Sequence, residues 1–121
     1  MWIINIENLL NQAKKQYEKE LNQFKDQPFI HCKFTFYFTL YYTIKNHLID
    51  LIKATDYQAY LNHRYKDGYL KYWKGRVIFK YEDKQAILTD DLYDAMDKLG
   101  LSKLVKKIEK EIRERTGTLI I

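Results

Sequence analysis

The chain holds one cysteine, one proline and four glycines in 121 residues. The lone cysteine, Cys32, excludes a disulfide framework within the chain and reads as a small buried hydrophobe. The glycines are dispersed at positions 68, 75, 100 and 117, so there is no glycine-rich loop to cradle a phosphate. No apolar run approaches the roughly 20 residues that span a bilayer. The richest stretch, 29–52, is broken by His31, Lys33, Lys45, Asn46 and Asp50. The first ten residues lack the basic segment and small-residue cleavage site of a secretory leader. No membrane association and a cytoplasmic location are therefore expected.

Catalytic signals are equally thin. His31, His47 and His63 have no zinc-ligand spacing, and no local motif pairs one of them with Cys32 as nucleophile and base. Asp90, Asp94 and Asp97 share a helical face, but the helix dipole alone accounts for acids at a helix start. The chain is expected to be a binding protein and not an enzyme, with no catalytic residue, no metal and no cofactor.

What is present is charge, and rings. The chain is 46% hydrophobic, 31% charged and 16% aromatic, with eleven tyrosines. Its length and composition predict one soluble domain able to bury a core unaided. Lysines outnumber arginines 17 to 4, and Ile, Asn and Tyr are frequent. These residues have A/T-rich codons, a compositional association with low-GC bacteria, their phages and their mobile elements.

The formal charge of +5 is concentrated in one window, 60–81. That window holds six basic residues and one acid, leaving 15 of each sign elsewhere. It also holds seven aromatics. Cations interleaved with rings suit a polyanion whose bases stack.

Periodicity predicts an α+β fold, helix-rich, with long N-terminal helices, a small antiparallel hairpin at about 69–88 and two C-terminal helices. Residues 5–26 carry an apolar stripe (Ile6, Leu10, Ala13, Tyr17, Leu21, Phe24) behind Asn5 as N-cap, with Ile3 and Ile4 as a staple or short strand. Residues 29–54 read two ways. One is a long helix with its seam at Ile30, Phe34, Tyr37, Tyr41, Ile44, Leu48 and Leu51, opened by Pro28. The other is a strand at 33–42 followed by a helix at 44–54. Length favours the helix. Thr55 or Asp56 caps a short helix over 56–66. Residues 69–74 look extended, with Gly75 as a bulge or bend before strands at 76–81 and 85–88. Thr89 is expected to cap a helix ended by Gly100. Ser102 opens a last helix, ended by Gly117, whose charges read as a solvated face.

On an extended 69–74, Tyr69, Lys71 and Trp73 share one face and Leu70, Tyr72 and Lys74 the other. Beyond Gly75, Arg76, Ile78 and Lys80 oppose Val77, Phe79 and Tyr81. The candidate nucleic-acid-binding residues are Arg64, Lys66, Tyr69, Lys71, Tyr72, Trp73, Lys74, Arg76 and Lys80. Lys71, Lys74, Arg76 and Lys80 would hold phosphates, and Tyr69, Tyr72 and Trp73 would stack on bases. The expected partner is nucleic acid, single-stranded in preference to duplex. The competing reading is an acidic protein surface, as for a phage or mobile-element inhibitor of a host nucleic-acid-processing complex, because Tyr and Trp also anchor protein interfaces.

Overall fold

The structure, a computed structural model, describes residues 1–24, 34–64 and 68–117. Pro28, Ile30, His31, Cys32 and Lys66, the side chain of Tyr69, and the apolar tail after Gly117, lie outside what is described.

The chain opens with a strand, β1 (Trp2–Asn5), and turns directly into α1 (Ile6–Gln23). Asn5 ends one and caps the other: its Oδ1 accepts the Glu7 N–H at 3.0 Å. The apolar positions of α1 recur at helical spacing, and Ile6, Leu9, Leu10, Ala13, Tyr17 and Leu21 are all buried.

Helix α2 (Phe36–Thr55) settles the ambiguous stretch: among the described residues there is no strand at 34–42. Thr35 caps it by accepting the Phe38 N–H. Its buried seam is Phe36, Leu40, Ile44, Leu48 and Ile52, a strict four-residue step. Tyr37, Tyr41 and Leu51, expected on the seam, instead flank it half-buried. The rotation follows from α2 packing between α1 on one side and the C-terminal helices on the other, so apolar residues on two faces find cover.

Asp56, not Thr55, caps α3 (Tyr57–Arg64), accepting the Ala59 N–H at 3.0 Å. The next segment corrects the expectation of an extended 69–74. It is a short helix, α4 (Tyr69–Trp73), with the Tyr72 N–H donating to the Gly68 carbonyl at 2.9 Å. Leu70 and Trp73, three residues apart, meet on its inner side and join the core, which a two-residue strand period would not allow. Gly75 then reverses the chain at φ +79, a left-handed value that glycine adopts without strain.

The hairpin proper is β2 (Val77–Tyr81) and β3 (Lys84–Ile87). β2 is the central strand: β3 pairs with it antiparallel and β1 pairs with it parallel, Trp2 opposite Val77 and Ile4 opposite Phe79. The parallel pairing needs a crossover, supplied by α1 to α4. Val77, Phe79, Ile4 and Ala86 face the helices and are buried. Ile3, Ile78 and Ile87 line up across the outer face.

Asp91, not Thr89, caps α5 (Leu92–Lys98): its Oδ1 accepts the Tyr93 N–H, while the Thr89 hydroxyl holds the Asp91 backbone. Gly100, at φ +72, joins α5 to α6 (Leu101–Thr116), which starts one residue before Ser102. The charges of α6 are not all solvated. Arg113 is 5% exposed; its Nε donates to the Tyr17 hydroxyl at 2.8 Å and to Glu109 at 3.3 Å, and its Nη2 donates to the Phe34 carbonyl. The Tyr17 hydroxyl in turn donates to Glu109 at 3.0 Å, tying α1 to α6. Arg115 pairs with Glu18 of α1 at 2.9 Å.

Candidate nucleic-acid interface

The helical turn at 69–73 redistributes the residues expected to bind. Trp73 is 5% exposed and packs in the core with its ring 6.4 Å from that of Trp2, so it has no open face for a base. Its Nε1 is buried with no hydrogen-bond partner among the described residues. Lys74 lies against Asp90 at 3.0 Å, and this pairing holds the Asp90 carboxyl below its ordinary range. Both partners are largely exposed, so the pair adds little stability. Lys80 stands on the outer face of the sheet between Asn5 and Gln85. Lys71 is exposed on α4.

Arg64, Tyr72 and Arg76 come together with residues the charge window did not single out. Tyr57, Tyr60 and Arg64 recur at three- and four-residue steps on α3 and form one stripe. The Tyr57 ring is 60% exposed and lies 6.0 Å from that of Tyr60. Two cations approach the Tyr60 ring: Lys53, from the last turn of α2, at 4.7 Å and Arg64 at 5.7 Å. On the next turn of α3, His63 lies 4.5 Å from the Tyr72 ring, and Arg76 covers Tyr72 at 4.9 Å. The result is two groups of rings and cations carried by α3: Tyr57 and Tyr60 with Lys53 and Arg64, and His63 with Tyr72 and Arg76.

Electrostatics mark the first of these groups. Hydrogen bonding to the Arg64 guanidinium, with a smaller contribution from Lys53, lowers the Tyr60 phenol below its ordinary value. Groups that favour a phenolate there favour any anionic oxygen placed beside them. The nearby acid is engaged: Asp56 caps α3 and accepts the Tyr72 hydroxyl at 3.4 Å. The first group thus presents the open Tyr57 ring beside positive charge, the arrangement that a single strand's bases and phosphates require.

The signal for Tyr57 and Tyr60 was available. Once a helix is expected over 56–66, counting by three and four from Arg64 reaches both rings. Lys53 precedes the charge window, and only the turn at Asp56 folds it back over α3.

Other clusters do not assemble. The acids about α5 are occupied: Asp90 by Lys74, Asp94 by Lys98 at 3.2 Å, and Asp97 by the Tyr37 hydroxyl at 2.7 Å. Among the described residues no group of three or more His, Cys, Asp or Glu side chains could hold a metal. Among the same residues no helix is long and apolar enough to cross a membrane. No protein-family model, curated protein or solved structure matches the chain.

Proposed function

We propose that the chain is a small non-enzymatic nucleic-acid-binding accessory protein, and that its interface is the pair of ring-and-cation groups on α3 and α4. The observation that carries this reading is the Tyr60 ring approached by both Lys53 and Arg64 beside the open Tyr57 ring. Lys53, Arg64 and Arg76 hold phosphates; Tyr57 and the open side of Tyr60 offer ring faces, while Tyr72 positions Arg76; Lys71 adds to the local field. Because the rings read no base edge, the expected ligand is single-stranded and the sequence preference weak.

The test is fluorescence anisotropy of a labelled single-stranded oligonucleotide at two salt concentrations. Affinity should fall with salt, and Lys53→Ala/Arg64→Ala/Arg76→Ala should flatten the log–log slope by about 2, the share of three released counterions on a single strand. Affinity and slope unchanged by the triple substitution would remove the site.

One observation favours a protein partner instead. Ile3, Ile78 and Ile87 form an apolar row on the outer sheet face, and Ile3 and Ile87 are 62% and 53% exposed. Aliphatic side chains have no ring for a base but suit a protein surface. A stoichiometric protein captured from nuclease-treated lysate, and released by Ile78→Asp, would favour that reading.

A further inference from the structure

A second surface lies apart from these cations. Two clefts adjoin at Gln12 and His47, which line both. The first, of about 430 Å³, is lined by all four residues of β1. Side chains of successive strand residues point to opposite faces, so what four in a row share is the strand's edge. Among the described residues that edge has no partner strand. The Trp2 N–H donates across to the Arg76 carbonyl on the β2 side at 2.9 Å. Alternate residues of a parallel ladder bond to the same neighbour, so Ile3 turns its N–H and C=O away from β2.

The cleft continues between α1 and α2 as a groove of about 530 Å³. Helix α1 lines the two clefts with Asn8, Gln12 and Gln16, four residues apart and therefore stacked along one face. Across from them stand the exposed rings of Phe38 and Tyr42, edge to face at 4.6 Å. A primary amide carries one acceptor and two donor hydrogens, which match the N–H and C=O of a peptide backbone. The carboxylates lining the groove are Asp50 and Glu20, which accepts the Gln16 amide N–H at 2.6 Å, and among the described residues no Lys or Arg lines either cleft. Lys45 lies over the Tyr42 ring at 5.9 Å but lines neither.

We infer that the free edge of β1 and the α1–α2 groove bind an extended, basic segment of a partner protein. The segment adds to β1 as a strand at Ile3 and continues along the amide ladder. Its Lys or Arg side chains meet Asp50 and Glu20, and an apolar side chain rests on Phe38 and Tyr42. The helix rise from Asn8 to Glu20 is about 18 Å, the length of five or six extended residues. Charge selects this occupant. A nucleic acid would meet Glu20 and Asp50 with like charge, and a second copy would set the same edge and the same acids against themselves.

The experiment selects a phage-displayed library of random twelve-residue peptides on the full chain and measures enriched peptides by anisotropy. Enriched peptides should carry Lys or Arg between apolar residues. Ile3→Pro removes the outward N–H while sparing the β1–β2 bonds, as an edge strand tolerates; it should weaken binding at least tenfold. Asp50→Lys, at an exposed helix position, should do the same and serves as the independent variant if proline perturbs folding. Lys53→Ala/Arg64→Ala/Arg76→Ala should leave peptide binding unchanged, which separates this surface from the nucleic-acid interface. No enrichment, or peptides indifferent to Asp50→Lys, overturns the inference. So does a dimer, seen by sedimentation, that Ile3→Pro dissociates, because a second copy then fills the edge.

Discussion

Tyr17 and Tyr60 are built from the same parts and behave in opposite ways. Each phenol lies beside an arginine: Tyr17 hydrogen-bonds to Arg113, and Arg64 lies against Tyr60. Around Tyr17 the core closes; burial and the Glu109 carboxylate raise its phenol above the ordinary value. Around Tyr60 solvent stays, and Arg64 and Lys53 lower the phenol. The difference is the acid. Glu109 completes the buried cluster and leaves it satisfied, with α1, α6 and the residue before the α2 cap fixed about it. At Tyr60 the Asp56 carboxylate one turn earlier caps α3, and the phenol stays partly exposed beside Arg64 and Lys53. One assembly holds the fold together, and the other is the proposed interface.

The largest expected effect breaks the buried half. Arg113→Ala leaves Glu109 and the Tyr17 hydroxyl without their cation, and should cost about 3 kcal/mol of stability in urea unfolding, as removal of one partner from a buried pair does. Arg64→Ala should change stability by less than about 0.5 kcal/mol, as surface substitutions do, and affect oligonucleotide binding instead. Similar unfolding midpoints for the two variants would contradict the comparison. Next in size, Gly75→Ala forces a side chain into φ +79 and should cost about 1 kcal/mol; a neutral result would mean the turn relaxes.

A pH titration sharpens the contrast. Followed by ultraviolet absorbance, the Tyr60 phenol should ionise below the bulk of the tyrosines, and Tyr60→Phe should delete that early component. Tyr17 and Tyr37, both raised, should ionise last. A raised phenol binds its proton more tightly folded than unfolded. Its contribution is therefore fully present below about pH 10 and is lost as the pH climbs toward the folded value. Alkaline unfolding should thus begin above pH 10 and shift least in Tyr60→Phe. The smallest effect concerns Trp73→Phe. It gives up ring area but also removes a buried unpaired N–H, and the two nearly offset, for a net change within about 1 kcal/mol by thermal melting.

The helices were legible because their stripes are amphipathic: Asn5 to Leu21 and Leu101 to Ile112 bury the residues their spacing picks out. Helix α2 was harder, since cover on two sides erases the contrast between its faces. The segment 69–74 misled because Tyr, Trp and Lys alternate there as readily as they coil, and only the burial of Leu70 with Trp73 decides. Parallel pairing of β1 with β2 is a long-range contact with no local signature. In the candidate interface, Arg64, Tyr72 and Arg76 were visible as charge and rings. Trp73 was mistaken for surface, because composition does not say which side of a ring faces water. Lys53 was missed because its neighbours in space are not its neighbours in the chain.

The pairing of Trp2 with Val77 sets a timetable for synthesis. The first strand leaves the ribosome with its mate still unmade, and at about 5–20 residues per second several seconds pass before residue 77 appears. Throughout that interval Trp2, Ile3 and Ile4 present an unclaimed edge, while α1 and α2 can already coil against each other. The sheet therefore closes only after the first two long helices are made, and a chain halted before residue 77 carries a helical pair with an open β-edge beside it.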